Sequence, residues 1–234
     1  MIIKAIVLGV RDQGEDSKLM TVYSHELGKI EILVRGAKKV VSKLAQLAAG
    51  FFALMKLTVE PGKSHYHLLG GEVKKYFKAA LSDYQKNVKV GSLLRTVDKM
   101  TKSEKPDDKI FDLLAKTLEK INSEPSKQLG MLGAAFTIKF LSLLGYKPEI
   151  KQCVVCRYDI KDEPSFFSSS RGGLICQKCS PKEANPTPVS AGTLDVLQKL
   201  LYKDLDFLLK QKFNPKDFSA AESIIGRFLE WQKQ

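Results

Sequence analysis

Residues 2–35 read IIKAIVLGVRDQGEDSKLMTVYSHELGKIEILVR. The stretch breaks into IIKAIVLGVR, rich in β-branched residues, a Gly-centred polar turn DQGED, then SKLMTVYS, HELGK and IEILVR. Ile30, Ile32 and Val34 alternate with Glu31 and Leu33, the period of a strand with one face buried. Further along, FFALMKLTVE places Phe51, Ala53, Met55, Leu57 and Val59 on one face, and HYHLLGGEVKKYF follows a PGKS turn. Five strand candidates joined by turn-length gaps predict a small closed or nearly closed barrel over residues 1–80.

From residue 81 the apolar spacing lengthens to that of helices. DDKIFDLLAKTLEKI can be capped by Asp107, and Leu129, Leu132, Phe136, Phe140 and Leu143 recur every three or four residues until Gly145 and Pro148. Ser190 is a candidate N-cap before Leu194, Leu197, Leu200 and Leu201, and Asn214 is another, with Pro215 at the first helical position. The fold class expected is therefore multi-domain, β then α: a barrel at 1–80, then a helical domain at 81–234 carrying a cysteine module at about 151–181.

All four cysteines fall in that module, as Cys153 and Cys156, then Cys176 and Cys179. Two C-x2-C pairs at this separation fit a structural zinc site, because each pair can form a tight knuckle and two knuckles complete a tetrahedron of thiolates. The rival is a disulfide or redox pair, but that chemistry needs one such pair beside a βαβ pattern. Gly172 and Gly173 are expected to supply positive φ before the second pair. Four thiolates leave no open coordination position, so one Zn2+ would act on folding and not as a Lewis acid. The segment has few apolar groups, and a metal cross-link would offset its ordering entropy. Lys151, Arg157, Arg171 and Lys178 would balance the site's negative charge.

The chain carries 38 Lys+Arg against 26 Asp+Glu, a net +12, which favours a polyanionic partner such as nucleic acid. Half of the excess lies in residues 1–80, with 13 basic and 7 acidic side chains. LVRGAKKVVSK contributes Arg35, Lys38, Lys39 and Lys43 without an acidic residue; alone it reads as a solvated loop, but barrel loops are where strands of nucleic acid are held. Lys4 and Arg11 stand in support. Tyr23, Phe52, Tyr66 and Phe77 are stacking candidates that on strands more commonly serve the core. No apolar run reaches the roughly 18 residues of a membrane span, and Lys4 within the first apolar stretch makes a poor signal peptide; the cytoplasm is expected.

Enzyme signatures fail one by one. PGKS at 61–64 lacks the glycine of a phosphate loop, since Leu57 stands in its place. Asp12, Glu15 and Asp16 around Gly14 are ordinary turn residues. His65 and His67 share a face without a third ligand or a nearby carboxylate, which suits surface side chains, and no nucleophile, base and acid converge. A non-enzyme is expected.

The motifs AIVLGVRDQGEDSKLMTVYSHELGKIEILVRGAKK, LSLLGYKPEI, CVVC and FFSSSRGGLICQKC together resemble the RecO family of bacterial recombination mediators. The resemblance runs over nearly the whole chain; it departs at the turn, where Glu15 and Asp16 are adjacent and the family commonly has one residue between Gly-Glu and Asp. It implies an N-terminal OB-fold barrel and a helical domain with the zinc module. It also implies binding of single- and double-stranded DNA, annealing of complementary strands, partnership with RecR, contact with the acidic tail of single-strand-binding protein, and loading of RecA, in the bacterial cytoplasm at the nucleoid. An acidic tail would suit a groove on the helix of Phe136, Lys139, Phe140 and Leu143. The alternatives are a zinc-bearing RNA-binding module, which has no reason to anneal DNA, and a metal-dependent nuclease using the acidic turn.

Overall fold

The structure, a computed structural model, describes residues 1–38, 43–48, 52–160 and 165–233. It divides into two compact units, Met1–Ser126 and Lys127–Gln234.

In the first unit, β1 (Ile2–Gln13), β2 (Ser17–Ser24), β3 (Gly28–Val34), β4 (Ala53–Pro61) and β5 (Tyr66–Tyr76) close into a barrel in the order β1-β2-β3-β5-β4. All neighbours are antiparallel except β3 and β5, whose parallel pairing joins Ile32 to Tyr66 and Leu33 to His67. This is OB-type topology. The interior follows from the alternation: Ile3, Ala5, Val7, Met20, Val22, Ile30, Ile32, Val34, Met55 and Leu57 form one buried cluster. A helix not foreseen in the sequence, α1 (Lys43–Ala48), adds Leu47 and Ala48 to it.

The same unit contains α2 (Lys78–Ser82), α3 (Tyr84–Met100) and α4 (Asp108–Ser123). Asp83 caps α3 by accepting from the Lys86 N–H, and Asp107 caps α4 by accepting from the Lys109 and Ile110 N–H groups. Lys29 on β3 donates through Nζ to the Asp98 carbonyl of α3 at 2.5 Å, and the Glu104 N–H donates to the Lys29 carbonyl at 2.9 Å. The division at 126/127 thus differs from the pattern change at 80/81. The lengthened period marks where strands give way to helices, but these three helices pack with the barrel.

In the second unit, α5 (Leu129–Leu143), α6 (Ala191–Tyr202), α7 (Leu205–Leu209) and α8 (Pro215–Gln232) surround a core that includes Phe136, Phe140, Leu197 and Ile224. Ser190 caps α6 and Asn214 caps α8. A three-stranded sheet of β6 (Ser165–Ser168), β7 (Gly173–Cys176) and β8 (Thr187–Val189) runs in the order β7-β6-β8. Phe167, Leu174, Ile175 and Val189 of this sheet are buried, so the cysteine segment is not the apolar-poor loop its composition suggested. Among the described residues no helix is long and apolar enough to cross a membrane.

Candidate nucleic-acid interface and metal centre

The cysteine cluster is built by two turns. Cys153 N–H donates to the Tyr158 carbonyl at 2.8 Å, and Arg157 N–H donates back to the Cys153 carbonyl at 2.9 Å, with Arg157 itself at φ +62°. In the second turn, Cys179 N–H donates to the Cys176 carbonyl at 3.0 Å. The halves are joined by Leu174 N–H to the Glu149 carbonyl and Val154 N–H to the Leu174 carbonyl, both 2.8 Å. Of the two glycines, Gly172 takes the positive φ (+71°), while Gly173 serves close approach: a Cβ there would lie 2.6 Å from the Glu149 oxygen and 2.7 Å from Val154 Cγ1.

The sulfurs of Cys153, Cys156, Cys176 and Cys179 all lie within 4.8 Å of one another, with Cys156 and Cys176 at 3.7 Å. A tetrahedral ion with bonds near 2.3 Å needs sulfurs about 3.8 Å apart, so the set fits one metal ion. Burial pushes the Cys153 thiol up, but the N–H groups of Cys156, Cys176 and Val155 directed at its sulfur outweigh burial and bring it down to about 6. Cys179, hydrogen-bonded to the Cys176 sulfur and partly buried, is pushed up to about 12, a proton that metal binding would displace.

The basic candidates separate into groups. Arg11 donates to Glu31 Oε1 at 2.8 Å. Lys38 donates through Nζ to the Gly14 carbonyl at 3.0 Å and pairs with Asp12 at 3.3 Å, both beside the β1–β2 turn. Arg35, one residue past β3, is exposed and has no ion pair among the described residues. Lys4 stands seven residues before Arg11 on β1, about 23 Å at the rise of a strand; its Cα partner on β4 is Lys56, also exposed. Lys39 and the side chain of Lys43 lie outside the described residues, as does Phe51.

Several expectations are corrected. Tyr23 and Phe77 are fully buried, so neither is a stacking surface; burial, then the charge of Asp107, pushes the Tyr23 phenol up to about 12. Phe136 and Phe140 of the suggested partner groove are fully buried and stacked on each other at 5.4 Å. Lys139 donates through Nζ to the Leu201 carbonyl at 2.8 Å and Leu143 is half-buried, so this face of α5 belongs to the core. Two of the three histidines do have carboxylate neighbours: His65 Nδ1 lies 3.3 Å from Glu31, and His25 Nε2 lies 3.5 Å from Asp108. Sequence reasoning also passed over Lys63. It is exposed on the β4–β5 turn, beside a cavity of about 440 Å³ lined by Lys29, Glu31, Lys63, Ser64, His65 and Ser103. Its signal was the position of PGKS between the last two strands, since that loop is one of those OB folds use for ligands.

A closed barrel of OB strand order, followed by a helical unit whose four clustered cysteines could hold one metal ion, defines the class: an OB-barrel protein with a second, helical unit bearing a four-cysteine cluster. Residues 1–77 match the family model described as Recombination protein O N terminal, and residues 81–234 match Recombination protein O C terminal. The chain belongs to the RecO family of DNA repair proteins. It is 32% identical over 227 residues to the DNA repair protein RecO of Pelotomaculum thermopropionicum, covering 97% of this chain and 87% of the relative. It is 28% identical over 228 residues to that of Halalkalibacterium halodurans (97% and 87%), and 32% identical over 201 residues to that of Shouchella clausii (86% and 77%). The two family models meet between residues 77 and 81, at the change of pattern and not at the division between compact units.

Proposed function

We propose that this chain is a noncovalent recombination mediator: it binds single- and double-stranded DNA, anneals complementary strands and, with RecR, helps load RecA onto DNA coated by single-strand-binding protein, whose acidic tail it contacts. It acts in the cytoplasm at the nucleoid and performs no covalent chemistry. The observation that carries the reading is membership of one DNA repair family along both halves of the chain, on a barrel of OB strand order.

Annealing is opposed by repulsion between two phosphate backbones, and a cationic surface that screens both lowers that barrier while leaving base edges free. Arg35, Lys38, Lys39 and Lys43, with Arg11, supply cations at the β1–β2 turn and beyond β3. Lys4 supplies charge at the other end of β1. Cys153, Cys156, Cys176 and Cys179 hold one zinc ion, which when bound cross-links the two turns and contributes to folding.

The test is fluorescence-monitored annealing of complementary oligonucleotides coated with single-strand-binding protein. The chain should accelerate pairing, and Arg35→Ala, Lys38→Ala, Lys39→Ala and Lys43→Ala together should flatten the salt slope of log affinity for single strands by about 2–3, with Lys38 contributing least because Asp12 and Gly14 already engage it. An uncatalysed rate in the presence of the wild-type chain refutes the mediator reading. An unchanged slope in the quadruple variant refutes the assignment of the site.

A further inference from the structure

In the second unit, α8 is anchored by Ala221, Ile224, Ile225 and Phe228, all buried. Arg227 and Trp231 lie four residues apart on that helix and so share one side of it. Both are exposed, Trp231 by 46%, and it is the chain's only tryptophan. They border a cavity of about 270 Å³ whose other walls include Ser169, Glu183, Asn185 and Thr187.

Its walls are fixed. Glu183 accepts from Ser168 Oγ and Ser170 Oγ at 2.7 Å each and from Arg171 Nε at 2.7 Å. Its charge is therefore matched, and three of its roughly four acceptor positions are occupied. Arg227 donates through Nη1 to Thr187 Oγ1 at 3.1 Å and makes no ion pair among the described residues; the neighbouring Glu230 is engaged by Lys233 at 2.6 Å. What remains is an indole face, an unpaired guanidinium one turn away, and a cleft offering hydroxyl and amide groups that can donate and accept. That is a receptor for a flat, hydrogen-bonding ring attached to an anion.

We infer that this cavity receives one unpaired nucleobase of a DNA strand, stacked on Trp231 with an adjoining phosphate against Arg227. The inference rests on the proposed DNA binding and extends it to a site in the second unit. The cavity falls at the small end of ligand sites, which suits a single base rather than a length of strand. An acidic peptide would engage Arg227 and could pair with Asn185 and Thr187 through its backbone, but its carboxylates offer no ring to stack on the exposed indole of Trp231. Stacking on an indole is tolerant of base identity, which a protein acting at arbitrary sequences requires.

The solitary tryptophan makes the test direct. An oligothymidylate is titrated into the full chain while tryptophan emission is followed, and fluorescein anisotropy reports total binding of the same strand. Emission should be quenched with the midpoint of the anisotropy curve, and Arg227→Ala should move the quenching midpoint to higher DNA concentration. Trp231→Ala should weaken binding about tenfold while Trp231→Phe stays within about twofold, since the phenyl ring still stacks. Anisotropy showing bound DNA with unchanged emission overturns the pocket and leaves the mediator reading intact. No anisotropy change overturns DNA binding and the pocket with it. Quenching by a free acidic peptide, with none by DNA, assigns the cavity to a protein tail and overturns the inference.

Discussion

Replacing Gly173 by alanine should separate the two halves of the metal centre. The new Cβ would sit 2.6 Å from the Glu149 carbonyl oxygen, where ordinary contact begins at 3.4 Å, so β7 must retreat by about 0.8 Å from the segment bearing Cys153. Three hydrogen bonds cross that line: Glu149 N–H to the Gly172 carbonyl at 3.0 Å, Leu174 N–H to the Glu149 carbonyl at 2.8 Å, and Val154 N–H to the Leu174 carbonyl at 2.8 Å. At roughly 1 kcal/mol net each, losing most of them costs about 2–3 kcal/mol, which lowers the melting temperature by roughly 5–10 °C in a protein of this size. Because the same bonds hold Cys176 in register with Cys153, metal affinity should fall about 10–100-fold, as for other groups that orient ligands. Thermal melts and competitive cobalt(II) titration, read by the thiolate–metal absorbance, measure both. Gly226→Ala is the control: nothing lies within 4 Å of its Cβ, and it sits within α8, where alanine is the better helix former. A Gly173→Ala protein that melts with the wild type and keeps its metal affinity would refute the claim that this close approach aligns the cysteine pairs.

Arg35→Ala should reduce the single-strand salt slope by about 0.7, whereas Lys38→Ala should reduce it less, because the Lys38 ammonium is already engaged by Asp12 and Gly14; equal effects in the same salt titration would argue against that pairing in solution. Tyr23→Phe removes a buried hydroxyl whose contact with the Asp107 N–H is too poor in geometry to satisfy it. It should raise stability by about 1 kcal/mol in denaturant melts without changing DNA affinity. Glu183 is held down at about 2 by donation from Ser168, Arg171 and Ser170. A carboxyl depressed on folding adds stability above its unfolded value near 4.5, and that stability is lost as pH falls toward 2. Glu183→Gln should therefore flatten the acid limb of a melting-temperature profile between those values, and an unchanged limb would show that the network does not stabilise the fold.

Where neighbours in sequence are neighbours in space, the sequence was readable. The alternation of Ile30, Ile32 and Val34 becomes the barrel interior, and Asp107, Ser190 and Asn214 cap the helices their positions suggested. C-x2-C spacing works for the same reason, since a knuckle is a local turn. Features that depend on distant segments were hidden. Glu31 reaches His65 and Asp108 reaches His25 only after strands and helices have packed. Tyr23 looked like a strand aromatic free to stack, yet its environment includes Asp107 and Asp108 from the start of α4. The small sheet of β6, β7 and β8 escaped notice because strands of three or four residues are too short for periodicity to mark. Phe136 and Phe140 show the opposite limit: helical spacing shows that a face is apolar but not what covers it.

Only two residue pairs, Ile32 with Tyr66 and Leu33 with His67, join β3 to β5. Short as this seam is, it closes the five strands into a barrel, although β5 beyond His67 pairs with no strand on that side among the described residues. An open version would display two rows of unsatisfied amides and carbonyls, templates onto which another polypeptide could add a strand. The hazard of a weakened seam is therefore aggregation rather than a lost contact.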